Sequence, residues 1–176
     1  ILPGGTTLGM IYWQHLSSDT LRLNGAEVPG SKAEVDVAIL RSLNYFTLGE
    51  SRYLVDLPGY GYAEAPVAIV AKWQALLKQF LQGRATLRRA FVLIDTRHGV
   101  KAVDEEILKL LDRSAVTYQA VLTKVDKINR TEREAVIEQV KGALAKHPAA
   151  FPEIVVTSSE KGEGIETLRA IIATLE

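Results

Sequence analysis

The chain contains no cysteine. A disulfide framework and a thiolate-ligated metal site are therefore both excluded. Histidine is scarce: His15, His98 and His147 lie far apart, and no HxH or HxxxH pair gives the usual imidazole signal for zinc. There is no excess of charge, because Lys+Arg and Asp+Glu both number 21. That balance removes any global argument for nucleic acid or an anionic membrane and leaves only local patches. No apolar run approaches the roughly 18 residues a membrane helix needs. The opening ILPGGTTLGMIYW lacks the basic stretch of a signal peptide. Neither an internal repeat nor a low-complexity tract is present. The expectation is a cytoplasmic protein with no membrane partner.

What is present fits one globular domain over residues 1–176, with 47% hydrophobic and 24% charged residues, an ordinary balance for a packed core. From residue 43 the pattern alternates strand and helix. Short β-prone stretches at 45–48 and 52–56 flank Gly49-Glu50-Ser51, as neighbouring strands joined by a tight turn would. Residues 66–82 place Val67, Ile69, Val70, Trp73, Leu76, Leu77, Phe80 and Leu81 at helical spacing, opened by Pro66 and closed by Gly83. Residues 90–94 are continuously apolar and end in Asp95, as a strand buried on both faces would read. Helices are expected at 103–111, 131–146 (capped by Asn129 or Thr131) and 165–175, and strands at 116–122 and 153–157. This rhythm predicts an α/β domain with a mostly parallel central sheet and helices on both faces. In such a sheet, ligands bind at the carboxyl ends of the strands. Residues 1–42 do not share the rhythm: 8–13 and 35–40 are candidate strands, and 21–28 a candidate hairpin around Asn24-Gly25.

Three loops after expected strands carry chemistry. Asp56-Leu57-Pro58-Gly59 offers a carboxylate able to hold Mg²⁺ through water and a glycine whose N–H can approach a γ-phosphate; a plain β-turn with a favoured proline explains it equally well. In Thr123-Lys124-Val125-Asp126 the carboxylate can accept from both the ring N–H and the exocyclic amine of guanine, a two-point match that adenine lacks. The Lys124 stem can lie along the base, while the blander reading makes Asp126 a local turn acceptor. Thr157-Ser158-Ser159 lets backbone N–H groups approach the guanine O6, and the same residues would serve as a helix N-cap.

The order and spacing of these loops resemble the third, fourth and fifth signature loops of translation-factor-class GTPases. The longer strings Asp56-Leu57-Pro58-Gly59-Tyr60-Gly61-Tyr62-Ala63, Asp95-Thr96-Arg97-His98 and Thr123-Lys124-Val125-Asp126, with Trp73 and Leu43-Asn44-Tyr45-Phe46, look like the EngB/YihA (YsxC) family over residues 43–176. The resemblance implies a three-layer P-loop GTPase-type domain and a GTP/GDP ligand with Mg²⁺. It also implies a monomer that acts on the precursor of the large ribosomal subunit, contacting rRNA or ribosomal proteins. By the same resemblance Asp56 (the Mg²⁺ ligand, through water), Leu57, Pro58 and Gly59 face the phosphates. Thr123, Lys124, Val125, Asp126, Thr157, Ser158 and Ser159 face the base. Tyr60 stands where many GTPases place a water-orienting glutamine, which implies slow unaided hydrolysis. His98 is read as a structural or partner-contact group rather than a catalytic one, and no catalytic residue is assigned.

The sequence departs from the family at its start. No GxxxxGK[ST] string occurs. The nearest match, Gly25-Ala26-Glu27-Val28-Pro29-Gly30-Ser31-Lys32, transposes Ser and Lys, and Pro29 removes an N–H donor. Gly4-Gly5-Thr6-Thr7 lacks a lysine and a clear preceding strand, and Ala38-Ile39-Leu40-Arg41-Ser42 stands where a switch threonine belongs. The competing expectation is a binding module that keeps the fold without turnover, with Arg84, Arg88 and Arg89 as an RNA contact or simply a solvated helix end.

Overall fold

The computed structural model describes residues 6–11, 22–23, 26–27, 44–48, 52–57, 75, 77–81 and 86–175. Its centre follows from the apolar run of β6, Leu87–Asp95, in which Ala90, Phe91, Val92 and Ile94 are all buried. Successive strand residues face opposite ways, so consecutive buried residues require cover on both faces. The other strands are β1 (Thr6–Ile11), β2 (Arg22–Leu23), β3 (Ala26–Glu27), β4 (Asn44–Leu48), β5 (Arg52–Leu57), β7 (Tyr118–Thr123) and β8 (Val155–Val156). The labelled helices are α1 (Ala102–Arg113), α2 (Arg130–Leu144) and α3 (Ile165–Thr174), and residues 75 and 77–81 are also helical.

Six strands form one sheet in the order β4-β5-β1-β6-β7-β8. All neighbours are parallel except β4 and β5, which form the expected antiparallel pair. One face packs Val55, Val92, Ile94, Ala120 and Leu122 against Leu77, Phe80 and Leu81 and against Ile107, Leu108 and Leu111 of α1 and Val140 and Leu144 of α2. The other carries Phe91, Val121 and Val155, covered by Leu168, Ile171, Ile172 and Leu175 along α3. The three-layer α/β arrangement is the one the sequence predicts. Among the described residues, no helix is long and apolar enough to cross a membrane.

Differences from the sequence reading concentrate near the amino end. The strand expected at 8–13 is β1, which begins at Thr6, ends at Ile11 and lies between β5 and β6 at the middle of the sheet. This part of residues 1–42 therefore does join the parallel array, and Thr6 and Thr7 belong to the strand rather than to a glycine loop. The sequence hides it because Thr6, Thr7 and Gly9 interrupt the apolar run by which β6 is recognised. The two arms of the expected 21–28 hairpin pair antiparallel, with Arg22 opposite Glu27 and Leu23 opposite Ala26, while Asn24 and Gly25 lie outside the described residues. The 153–157 strand shortens to two residues, and the 116–122 strand starts at Tyr118 and runs on to Thr123. The candidate strand at 35–40, Gly4 and Gly5, most of the 25–32 near-match, Pro58, Gly59, Tyr60, Trp73, Arg84 and residues 66–74 of the expected helix lie outside the described residues.

Of the two caps expected for α2, Asn129 is the one used. Its Oδ1 accepts from the Glu132 N–H at 3.0 Å, and its own N–H donates to Glu132 Oε2 at 2.9 Å. Near the start of β7, buried His147 places Nδ1 2.6 Å from Asp112 Oδ2 and Nε2 3.3 Å from Glu105 Oε1. This ties the segment after α2 to α1. Burial, reinforced by Asp112 and Glu105, holds the Tyr118 phenol well above its ordinary range.

Candidate base-reading site

The parallel strands bring their carboxyl ends to one edge of the sheet. Asp56 and Leu57 are the last two residues of β5, which runs one residue past the expected 52–56 stretch. Asp95 ends β6, Thr123 ends β7, and Thr157 directly follows β8. The ends are staggered: Asp56 pairs with Met10, which pairs with Phe91, four residues short of Asp95. From β5 to β7 is three strand spacings, or ~14 Å across the sheet. Asp56 and Asp126 thus sit on the same edge but well apart.

At the far side of that edge, two loops are joined by hydrogen bonds. The Thr157 N–H and hydroxyl both donate to the Leu122 carbonyl, at 2.7 and 2.9 Å, and the Val125 N–H donates to the Thr157 carbonyl at 3.2 Å. Val125 is buried and serves as the apolar anchor of the 3₁₀ turn Val125–Lys127. The Thr123 hydroxyl donates to the Ile94 carbonyl at 3.3 Å, while the Thr123 carbonyl accepts from the Thr96 N–H and hydroxyl. Thr123, Val125 and Thr157 thus hold the loop framework together, with their side chains committed to the protein.

The framework presents Asp126. Its Oδ1 accepts from the Ser158 hydroxyl at 2.5 Å, and Ser158 is itself fully buried. The Ser158 oxygen accepts in turn from the Lys161 N–H at 3.0 Å. Asp126 Oδ2 is buried and receives no aligned hydrogen bond, but the Lys127 ammonium lies 3.1 Å away as an ion pair. Lys127 also reaches Glu160 Oε2 at 2.5 Å, bridging the two loops. The Ser158 hydrogen bond first, then Lys127, hold the Asp126 carboxyl below its ordinary range against the opposing effect of desolvation. Glu160, then Asp126, raise the Lys127 ammonium. The result is an ionised carboxylate fixed in one rotamer. Ser159 is exposed beside it.

Lys124 has left-handed backbone angles, φ 59° and ψ 34°. Its ammonium donates to Asp95 Oδ2 at 3.0 Å, and Arg97 grips the same carboxylate from its other side. Sequence reasoning passed over Asp95 and Arg97 as site residues. Lys127 and Glu160, 33 residues apart, left no local signal at all. His98 is exposed, and its N–H donates to the Asp95 carbonyl at 3.0 Å. Among the described residues no group of three or more His, Asp or Glu side chains comes together as a metal site.

A carboxylate held by Ser158 on the turn after β7 is the arrangement the sequence reading expects at this edge. The family model for the Elongation factor Tu GTP binding domain matches residues 77–176. The chain belongs to that GTP-binding domain family. Two curated relatives, each called probable GTP-binding protein EngB, come from Cereibacter sphaeroides and Ruegeria pomeroyi. The first is 75% identical over 135 residues, 77% of this chain and 62% of the relative. The second is 71% identical over 136 residues, 77% of this chain and 63% of the relative. The chain thus spans less than two thirds of the length of these relatives. The crystal structure of a probable GTP-binding protein engB overlays with a TM-score of 0.66 at 18% identity, covering 96% of this chain and 97% of that one. Translation elongation factor SelB from Methanococcus maripaludis, in complex with the GTP analogue GppNHp, overlays with a TM-score of 0.61 at 18% identity, over 97% of this chain and 33% of that one. At these identities the two structures establish the fold. The EngB resemblance of the sequence is borne out by the relatives, and this GTP-binding domain shares its α/β fold with proteins of that name.

Proposed function

We propose that this GTP-binding domain is a guanine-nucleotide switch of the EngB type, binding GTP and GDP and assisting assembly of the large ribosomal subunit. The observation that carries the nucleotide reading is the Ser158–Asp126 hydrogen bond, which fixes a carboxylate on the turn after β7 against the loop after β8. A carboxylate has lone pairs for about four hydrogen bonds. Oδ1 can keep Ser158 and accept one base N–H. Oδ2 takes the other once Lys127 withdraws to Glu160, its existing second partner. Guanine supplies two adjacent N–H donors, whereas adenine presents an unprotonated ring nitrogen there and leaves a buried acceptor unmet.

The phosphates would extend across the sheet edge toward Asp56, where Gly59 could approach the γ-phosphate. Asp56 would hold Mg²⁺ through water, and the ion would supply charge neutralisation to the phosphates. The chain's own contribution there is a carboxylate fixed at a strand end. The ribosomal precursor as partner, and slow hydrolysis with Tyr60 after the switch glycine, follow from the EngB resemblance. The alternative of a module that binds RNA without turnover finds no support in the comparisons.

Titration with fluorescent GDP and GTP, with and without Mg²⁺ and against ATP, tests the reading. Guanine preference is expected, with a loss of at least ~100-fold in guanine-over-adenine selectivity in Asp126→Ala. Equal affinity for guanine and adenine nucleotides would overturn it.

A further inference from the structure

Asp95 ends the central strand and accepts four hydrogen bonds. Its Oδ1 takes the Arg97 N–H at 3.0 Å and Arg97 Nε at 2.9 Å, while Oδ2 takes Arg97 Nη2 at 2.6 Å and Lys124 Nζ at 3.0 Å. The fork of Arg97 fixes both oxygens at once, which a point-charge cation cannot do. Partial burial alone would raise the Asp95 carboxyl, but the bonds from Arg97 and Lys124 outweigh it and hold it well below the usual carboxylate range. The second observation is independent. Apart from Ala115, Lys124 is the one non-glycine residue with positive φ among the described residues, a backbone state that side-chain-bearing residues adopt at a cost. That state sits one residue after β7 and two before Asp126, between the strand end and the base-reading turn.

We propose that Arg97 is a positioning residue for base recognition, acting through Asp95 to hold the Lys124 stem out along the base site before nucleotide arrives. The proposal rests on the guanine-reading role of this loop. A lysine side chain that must be ordered on binding weakens affinity, and one already ordered does not. Asp95, locked by the Arg97 fork, does the ordering in advance. Without the Arg97 guanidinium, Asp95 keeps only the N–H of residue 97 and Lys124 as partners, and Lys124, half exposed, faces a less firmly held acceptor.

The test uses the full chain, fluorescent GDP and low salt. Arg97→Ala is expected to weaken binding by about 3- to 10-fold, with circular dichroism unchanged and only a small fall in melting temperature, because its side chain is 45% exposed. Arg97→Lys should recover only part of the loss, since lysine lacks the fork. In a Lys124→Ala background, Arg97→Ala should add nothing, an outcome that a general structural role would not produce. The Arg97→Ala effect should shrink at about 1 M salt, where exposed pairs are screened. An unchanged or tighter affinity in Arg97→Ala, or a full further loss in the Lys124→Ala background, overturns the proposal. If the wild type prefers guanine and Asp126→Ala loses that preference, such a result sinks the Arg97 role alone. If the wild type shows no guanine preference, both readings fall together.

Discussion

Three glycines in the described region differ in one respect each, and alanine at each should move stability by a different and calculable amount. Gly142 lies inside α2, where an added Cβ meets nothing within 4 Å. Alanine there gains helix propensity and loses unfolded-state entropy, so Gly142→Ala should stabilise by ~0.5–1 kcal/mol. Gly162 has φ +72°, also with nothing within 4 Å of a Cβ. Gly162→Ala meets only the left-handed backbone cost, ~1–2 kcal/mol destabilising. Gly164 combines φ +69° with a close approach: its Cβ would stand 2.0 Å from the Val156 carbonyl oxygen and 3.0 Å from the carbonyl carbon. Both are backbone atoms of β8 and cannot rotate away as a side chain would. Relief requires α3 to back off the sheet, adding ~1–3 kcal/mol of overpacking to the same backbone cost. Gly164→Ala should therefore lose ~2–5 kcal/mol, and the melting temperature should fall by ~2–4 °C for each kcal/mol. Urea unfolding at constant m-value measures all three. Val156 precedes Thr157 and Ser158, so Gly164→Ala should also weaken guanine binding while Gly142→Ala leaves it intact. If Gly162→Ala and Gly164→Ala destabilise equally, the close packing of α3's first turn on β8 has no energetic weight and the reasoning is refuted.

Asp126→Asn replaces one acceptor oxygen by a donor amide, so it should shift preference from guanosine toward xanthosine nucleotides, which carry a carbonyl where guanine carries its amine; competition with fluorescent GDP measures the shift. Asp95 has a depressed folded-state pKa, so the stability it contributes is full above the unfolded value of about 3.9 and is lost as pH falls through the folded value. Asp95→Asn should therefore flatten the acid side of the stability–pH curve below about pH 4 in urea titrations. Asn129→Ala removes the side-chain half of the α2 capping box, the acceptor for the Glu132 N–H, and should destabilise by ~1 kcal/mol in the same assay, with Asn129→Asp close to neutral.

The parts of the fold legible in sequence are those whose signal is local. The apolar run of β6 announces a strand covered on both faces, and Asn129 followed by Glu132 announces a helix start. The meeting of Asp126 with Ser158 is legible one step further. Both follow strands in an alternating pattern, and such strands share a carboxyl edge. What is not legible depends on sheet order and on side-chain direction. Nothing in Thr6–Ile11 says that it lies between β5 and β6, because strand order is set by which faces the helices cover. Asp95-Thr96-Arg97 stands out as a string, yet spacing alone cannot say that Arg97 folds back onto Asp95 or that Lys124 joins from the turn after β7. The Lys127–Glu160 bridge rests on a contact across two loops, for which periodicity carries no information.

The sheet order also implies that selectivity for the base and response to the phosphates are separable properties of this domain. Asp126 and Asp56 stand at strand ends three spacings apart, ~14 Å across the sheet, with β1 and β6 between them. Sites more than about 7–10 Å apart with no shared partners contribute additively. Asp126 is committed to Ser158 and Lys127, and both of those reach only into the loop after β8. Selectivity is a difference between two affinities, so it survives even where the phosphate end adds little to either. Asp126→Ala should therefore abolish the guanine-over-adenine ratio while leaving the response to Mg²⁺ and to the third phosphate as it was. Asp56→Ala should do the reverse. In a double-mutant cycle read by competition binding, the two losses should multiply to within about twofold. A larger coupling would mean that the carboxyl edge moves as one body when the base is read, and Arg97, on the turn just after β6, would be the first place to look for the link.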